Sequence, residues 1–335
     1  MKFLSLALLA TPALTQSLKQ ALDAASPLGK QFAAGIAGDQ KAQDALVPAG
    51  KSQVTLFLPT DKALDDHRSN APRPSKSKRA LKPEEYAIAA YSSADGKQDL
   101  TALSAGGVLK TNNVDAGSGK ANDLVAEGGS GKLRLRANTT TPPPISVFGG
   151  LGAKAAIVAG DFVFDQGVIH FVDTVMDVPQ LTSFTIATLG YRNFLGALAA
   201  AGLSPAIDKS TTTLLVYRDD VFTSAANQSV KSLQQHIIPN FLAYGPSLVG
   251  VTTLTTAANT TLKVSVVGGQ YFINDSPIVK SNIISSNGVV HVLGKLLTGP
   301  TITTYTPTGS DATSSRVNQI TIVGALFLAA WNYLV

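Results

Sequence analysis

The chain states one order of events twice. Val54-Thr55-Leu56-Phe57-Leu58-Pro59-Thr60-Asp61 is an apolar run that ends in a Pro-Thr-Asp turn able to start a helix. Thr213-Leu214-Leu215-Val216-Tyr217-Arg218-Asp219-Asp220 again passes from apolar to acidic. Farther on, Gly167-Val168-Ile169-His170-Phe171-Val172 is answered by Gly288-Val289-Val290-His291-Val292-Leu293. A repeat on this scale means two copies of one folding unit, and 335 residues suit two domains of about 100 to 200 each. The Gly-led runs, rich in Val and Ile, predict strands covered on both faces. Tyr191, Phe194, Leu195 and Leu198 make a helical stripe, with Gly202 and Pro205 placed to end it. Periodicity therefore gives an α+β protein and nothing finer.

The copies differ in length. Leu56 and Gly167 are 111 positions apart and their counterparts Leu214 and Gly288 only 74, so copy one carries 37 additional residues. Two segments can hold them: the basic, proline-containing run 68–83 and the Gly- and Pro-rich run 115–144. Both read as surface loops.

The ends of the chain read as sorting signals. Met1-Lys2 followed by an apolar stretch and small residues gives residues 1–16 the form of a secretory signal peptide. Residues 320–335 carry no charge and are shorter than the roughly 20 residues a spanning helix needs. Residues 300–319 form a Ser/Thr-rich stalk, with nine Ser or Thr among the sixteen residues 301–316. Small residues, then a polar spacer, then an apolar tail is the order of a glycosylphosphatidylinositol attachment signal, with Ser310 as the attachment residue and Gly309 and Asp311 as its rivals. A short tail-anchored membrane helix is the competing reading. Sequons stand at Asn138, Asn227, Asn259 and Asn274.

The search for chemistry is brief. With 27 basic and 22 acidic residues the net charge is +5, too small and scattered for a nucleic-acid surface. There is no cysteine, hence no thiol nucleophile, disulfide or cysteine-bound zinc. The four histidines, His67, His170, His236 and His291, form no metal-binding spacing, and the matched pair His170 and His291 predicts buried, hydrogen-bonded side chains. Gly-Gly-Ser-Gly-Lys at 128–132 fails as a phosphate loop because Ala126 and Leu133 stand where Gly and Ser/Thr are required. It fails as a nucleophile elbow at Lys132. Asp61 and Asp219 read as helix caps. Arg68, Arg73, Lys76, Lys78, Arg79 and Lys82 read as a solvated loop, the alternatives being a site for acidic polysaccharide or lipid head groups and protease cleavage at Lys78-Arg79. No catalytic residue, metal or cofactor is expected.

The strand ending in Pro59-Thr60-Asp61 and the closing run Asn287-Gly288-Val289-Val290-His291-Val292 together resemble the fasciclin domain family. Leu233-Gln234-Gln235-His236-Ile237-Ile238-Pro239 and Ile273-Asn274-Asp275-Ser276-Pro277-Ile278-Val279 are similar to its middle segments. The resemblance implies two tandem domains, at 17–179 and 180–299, each a wedge of β-sheets with several helices, in the manner of lipid-anchored fungal members. It implies adhesion without catalysis at the cell surface, with wall or matrix polysaccharide or protein, or a second copy, as partner and a lipid anchor in the membrane. The alternatives are a surface carrier of lipid or small ligands and a secreted hydrolase. A partner-binding Tyr-His stretch of the family maps onto His236, Ile237, Ile238 and Pro239, with Gln235 where the tyrosine would stand. Tyr217 and Arg218 occupy the Pro-Thr positions of copy two, and Tyr91-Ser92 is the matching pair of copy one.

Overall fold

The computed structural model describes residues 16–25, 28–70, 83–128, 145–223 and 228–297. The expected signal peptide, stalk, attachment residue Ser310 and apolar tail lie outside the described residues, as do Asn138, Asn227 and residues 71–82 of the basic run.

The first unit opens with three short helices, α1 (Leu18–Ala24), α2 (Lys30–Ile36) and α3 (Gln40–Leu46), and continues with β1 (Val54–Pro59), α4 (Asp61–Asn70) and α5 (Pro83–Tyr91). Then follow β2 (Ser93–Asp95), α6 (Leu100–Ser104), β3 (Gly107–Val114), β4 (Ala121–Glu127), β5 (Ser146–Phe148), β6 (Lys154–Phe164) and β7 (Gly167–Val172). The seven strands close into a barrel in chain order, so the expected wedge is a sheet wound on itself. The second unit repeats the plan with α7 (Thr182–Thr188), α8 (Arg192–Ala200), α9 (Ser204–Lys209), β8 (Thr212–Tyr217), α10 (Val230–Gln234), β9 (Ile237–Pro239) and α11 (Gly245–Leu248). It ends with β10 (Thr253–Thr255), β11 (Thr261–Val267), β12 (Gln270–Ile273), β13 (Ser276–Ile284) and β14 (Gly288–Leu293). Its strands form one sheet in the order β10-β11-β12-β13-β14-β8-β9, and the Ala257 amide, just after edge strand β10, donates to Ile237 O of the other edge strand at 2.8 Å.

The repeated motifs are the centre of each unit. β1 lies parallel to β7, Val54 opposite Gly167 and Phe57 opposite His170; β8 lies parallel to β14, Thr212 opposite Gly288 and Leu215 opposite His291. All four strands are buried along their whole length. Glycine leads β7 and β14 because the partner strand comes too close for a side chain. A β-carbon at Gly167 would overlap the Val54 carbonyl oxygen, and one at Gly288 that of Thr212.

The reading of 115–144 as surface loop is corrected in its first half, residues 129–144 lying outside the described residues. Residues 115–120 do form a turn, but Ala121–Glu127 is a strand paired on both edges, with β3 and β5. Leu124 and Ala126 join the first unit's core beside Phe57 and Tyr91, while Val125 packs with residues of the second unit. Asp123 and Glu127 give the segment a solvated look in the sequence, yet each has a partner more than 100 residues away, Tyr244 for Asp123 and Asn282 for Glu127.

Candidate functional site

The matched histidines tie strand to loop in the barrel of the first unit and in the sheet of the second. In each unit a register shift in the strand before the Gly-led strand sets one residue in the left-handed region, Asp161 (φ 63) in β6 and Asn282 (φ 54) in β13. The Asp161 amide donates to His170 Nδ1 at 3.3 Å and the Asn282 amide to His291 Nδ1 at 3.4 Å. The opposite ring nitrogen, Nε2, then carries the proton and donates to Gln98 O at 2.8 Å or to Ala243 O at 2.7 Å. The same loops are gripped from the other side. Thr55 Oγ1 donates to Gly96 O and accepts from Gln98 N, just as Thr213 Oγ1 donates to Phe241 O and accepts from Ala243 N. Burial lowers His170 below its usual pKa and takes His291 to about 4, the carbonyl hydrogen bonds opposing it. Both rings are neutral, internally satisfied structural groups, as the sequence predicts.

His236 is likewise closed in. It is 5% exposed, and Ile237 and Ile238 are 2% each; only Pro239 of the expected partner-binding stretch is half-buried. The ring meets Phe194 and Tyr217 edge-on, and Phe222 packs behind both of them. Nδ1 donates to Ser232 O at 3.0 Å, and Nε2 accepts from the Tyr217 hydroxyl at 2.8 Å. That hydroxyl accepts from Leu297 N at 2.6 Å, so an ordered row of hydrogen bonds ties the end of the described chain to α10. Burial takes His236 to a pKa of about 4. The tyrosine missing at position 235 is thus supplied to the histidine by β8, through the residue that looked like a departure.

Asp61 and Asp219 are caps, but not of the helices they begin or precede. Asp61 Oδ1 accepts from Gln31 N at 2.8 Å, in the first turn of α2, and Thr60 Oγ1 caps α4 through Ala63 N. Asp219 Oδ1 accepts from Asn193 N at 2.9 Å, in the first turn of α8. In each unit the strand end pins the helix two elements before it, α2 or α8, across the fold.

Sequence reasoning misses the junction between the units. The β4 residues Asp123, Val125 and Glu127 present one face to the second unit. The Tyr244 hydroxyl donates to Asp123 Oδ2 at 2.8 Å, and Lys110 Nζ lies 2.6 Å from Asp123 Oδ1. Asn282 Nδ2 donates to Glu127 Oε1 at 2.7 Å while Asn282 Oδ1 accepts from Gly245 N at 2.7 Å, which fixes the amide's orientation. Val125 and Phe148 pack with Tyr244, Ile284 and Val289, and Gly150 bridges to Ile284. Burial raises the pKa of Glu127 against the opposing pull of Asn282, the Lys154 charge and the Tyr271 hydroxyl; Tyr271 is itself pushed up to about 12, by burial first and by Glu127 second. The counterpart of Asn282 is Asp161, whose Oδ1 accepts from Leu100 N at 3.0 Å at the start of α6. Both residues cap a helix; only the amide has a second hand to extend to the other unit.

Of the sequons within the described residues, Asn259 is exposed in the turn between β10 and β11. Asn274 lies in the β12–β13 turn, its Oδ1 accepting from Lys263 N at 2.8 Å, and the hydroxyl of its sequon residue Ser276 is buried in a hydrogen bond to Lys295 O. Among the described residues no group of three or more His, Cys, Asp or Glu is placed to hold a metal, and no helix is long and apolar enough to cross a membrane.

Geometry alone defines the class: a tandem α+β scaffold made by duplication, its recurrent histidines engaged in internal hydrogen bonds. The fasciclin domain model matches residues 30–179 and 189–299, and the chain belongs to that family. It is similar to the fasciclin-like arabinogalactan protein CTB11 of Cercospora beticola, 30% identical over 223 residues that cover 60% of this chain and 59% of that protein. A fasciclin-like arabinogalactan protein of Arthroderma benhamiae is 29% identical over 157 residues, 44% of this chain and 37% of that one. The chain thus spans less than two thirds of the length of these curated relatives. Among solved structures it is similar to a FAS1 domain pair from the insect cell adhesion molecule fasciclin I, at 16% identity and a TM-score of 0.37, covering 80% of this chain and 96% of that one.

Proposed function

We propose that this protein is a non-enzymatic glycoprotein of the cell surface or wall, whose two fasciclin domains form one unit for adhesion or for contact with wall or matrix polysaccharide or protein. The observation that carries this reading is the tandem pair itself, in which His170, His236 and His291 are each occupied by internal partners. The names of the fungal relatives support a surface or wall setting. The apolar run 320–335 and the small residues around Ser310 support lipid tethering, residues 1–16 support entry into the secretory pathway, and the four sequons support glycosylation.

In this reading the stretch around His236 acts through its shape. His236, Ile237 and Ile238 hold the core side of β9, and a partner meets Pro239 and the exposed Asn240 that follows it. The test is phosphatidylinositol-specific phospholipase treatment of intact cells, followed by an attachment assay. Release of the protein with loss of attachment is expected; a protein that stays in the cytosol, unglycosylated, overturns the reading. Pro239→Ala and Asn240→Ala proteins that fold and attach as the wild type does would remove the stretch from it.

A further inference from the structure

A cleft of about 260 Å³ opens where the β3–β4 turn meets the connection between the domains. Val114, Asp115 and Asn122 line it from the first domain, Gln180 and Leu181 from the connection, and Ser286 from the second. Asn122 is 4% exposed, and its amide is oriented: Nδ2 donates to Asn113 Oδ1 at 2.6 Å, while Asn113 Nδ2 is committed to Ala87 O. Asn122 Oδ1 is therefore an acceptor without a partner among the described residues, in a side chain too buried to turn away. Asp115 uses Oδ1 to hold Ser118 N, and the Gln180 carboxamide makes only a 3.4 Å contact with Val178 O. The connection is fixed by Ser286 N donating to Gln180 O at 2.9 Å. Val114 and Leu181, 57% and 51% exposed, stand as aliphatic walls beside these polar groups.

We infer that this cleft binds one neutral sugar ring of a polysaccharide. Among the described residues no lysine or arginine lines it, which disfavours an anion, and a single carboxylate is too little for a cation. Nearly half of the residues that line it carry polar side chains, which disfavours a lipid. A sugar supplies what the lining lacks. Its hydroxyls donate to Asn122 Oδ1 and Asp115 and exchange hydrogen bonds with Gln180 and Ser286, while its C–H face rests on Val114 and Leu181. Because both domains contribute, a bound chain would also clasp the junction.

This inference rests on the wall- and matrix-contact reading and narrows it to one ligand class. The test is saturation-transfer NMR and calorimetric titration of the intact protein with hexasaccharides of glucose, galactose and mannose. At least one should bind, and Gln180→Ala and Leu181→Ala should each weaken it about tenfold, the value of one well-made contact, with thermal stability unchanged. Phe184→Ala, 54% exposed on α7 but outside the lining, should bind as the wild type does. No binding by any hexasaccharide, or binding that both variants leave intact, overturns the inference. If cells carrying Gln180→Ala then still attach normally, the adhesion reading survives its loss; if wild-type cells do not attach, that reading itself fails.

Discussion

Replacing Asn282 by Asp puts into the second domain the residue type that the first domain carries at the matching position, Asp161. Asp keeps the acceptor for Gly245 N and tolerates the left-handed backbone, so the cap of α11 and the grip on His291 survive. What disappears is the donor to Glu127, leaving two carboxyl groups at a separation where Nδ2 and Oε1 now lie 2.7 Å apart. Loss of the charge-assisted hydrogen bond costs about 1.5–3 kcal/mol. Two carboxylates about 4 Å apart would repel by about 4 kcal/mol at an effective dielectric of 20, and the pair escapes this by taking up a proton. At pH 7 the junction should weaken by about 3–5 kcal/mol, and in acid, where the pair shares a proton, most of that should return. The assay is denaturant unfolding of the intact protein, with fluorescence reporters in each domain, at pH 7 and pH 4.5. The wild type should unfold in one transition and Asn282→Asp in two at pH 7, merging again at pH 4.5. Coincident transitions for the variant at pH 7, at the wild-type midpoint, would refute the argument.

Other consequences are equally open to measurement. Gly288→Ala forces a β-carbon onto the Thr212 carbonyl oxygen and should lower the stability of the second domain by about 3 kcal/mol, read from its unfolding midpoint; an unchanged midpoint would mean that the parallel pairing is not so close. Gly245→Ala drives a β-carbon onto the end of the Glu127 side chain, which must swing aside from Asn282, and should weaken the junction by about 1.5–3 kcal/mol, read from the unfolding midpoint. Tyr217→Phe removes the hydroxyl between Leu297 N and His236 Nε2 and should speed amide exchange at Leu297, with a loss of about 1–3 kcal/mol. His236 and His291 have folded pKa values of about 4 against an ordinary 6.5, so the unfolded chain binds more protons between those values. Their contribution is complete above pH 6.5 and declines as the pH falls toward 4, by up to about 3 kcal/mol each. Glu127, with its raised pKa, acts in the opposite sense: its contribution is present at low pH and is lost as the pH rises through its folded value. Equal stability of the wild type at pH 7 and pH 4 would contradict neutral buried histidines.

The features legible in the sequence are those whose causes are local or repeated. The Gly-led strands announce burial by an unbroken apolar run, and the duplicated His170 and His291 announce a shared structural role before any hydrogen bond is seen. The junction was illegible for the opposite reason. Asp123 and Glu127 look solvated until Tyr244 and Asn282 are brought to them from the other domain, and no spacing in β4 names those partners. Asp61 and Asp219 were legible as caps, since a carboxylate after a strand has few other uses. The helix each one caps depends on how the preceding segment folds back. Gln235 hid a Tyr-His contact that exists, because the hydroxyl arrives from position 217, on a strand paired with the one that follows His236.

The most direct test of the proposed function is intact mass spectrometry of the protein taken from the cells that make it, with its two termini and its sugars mapped. The account predicts a chain that lacks about the first sixteen residues, ends near Ser310 with a glycolipid, and carries N-linked glycan at Asn259. A cytosolic polypeptide running from Met1 to Val335 without sugar or lipid would contradict it.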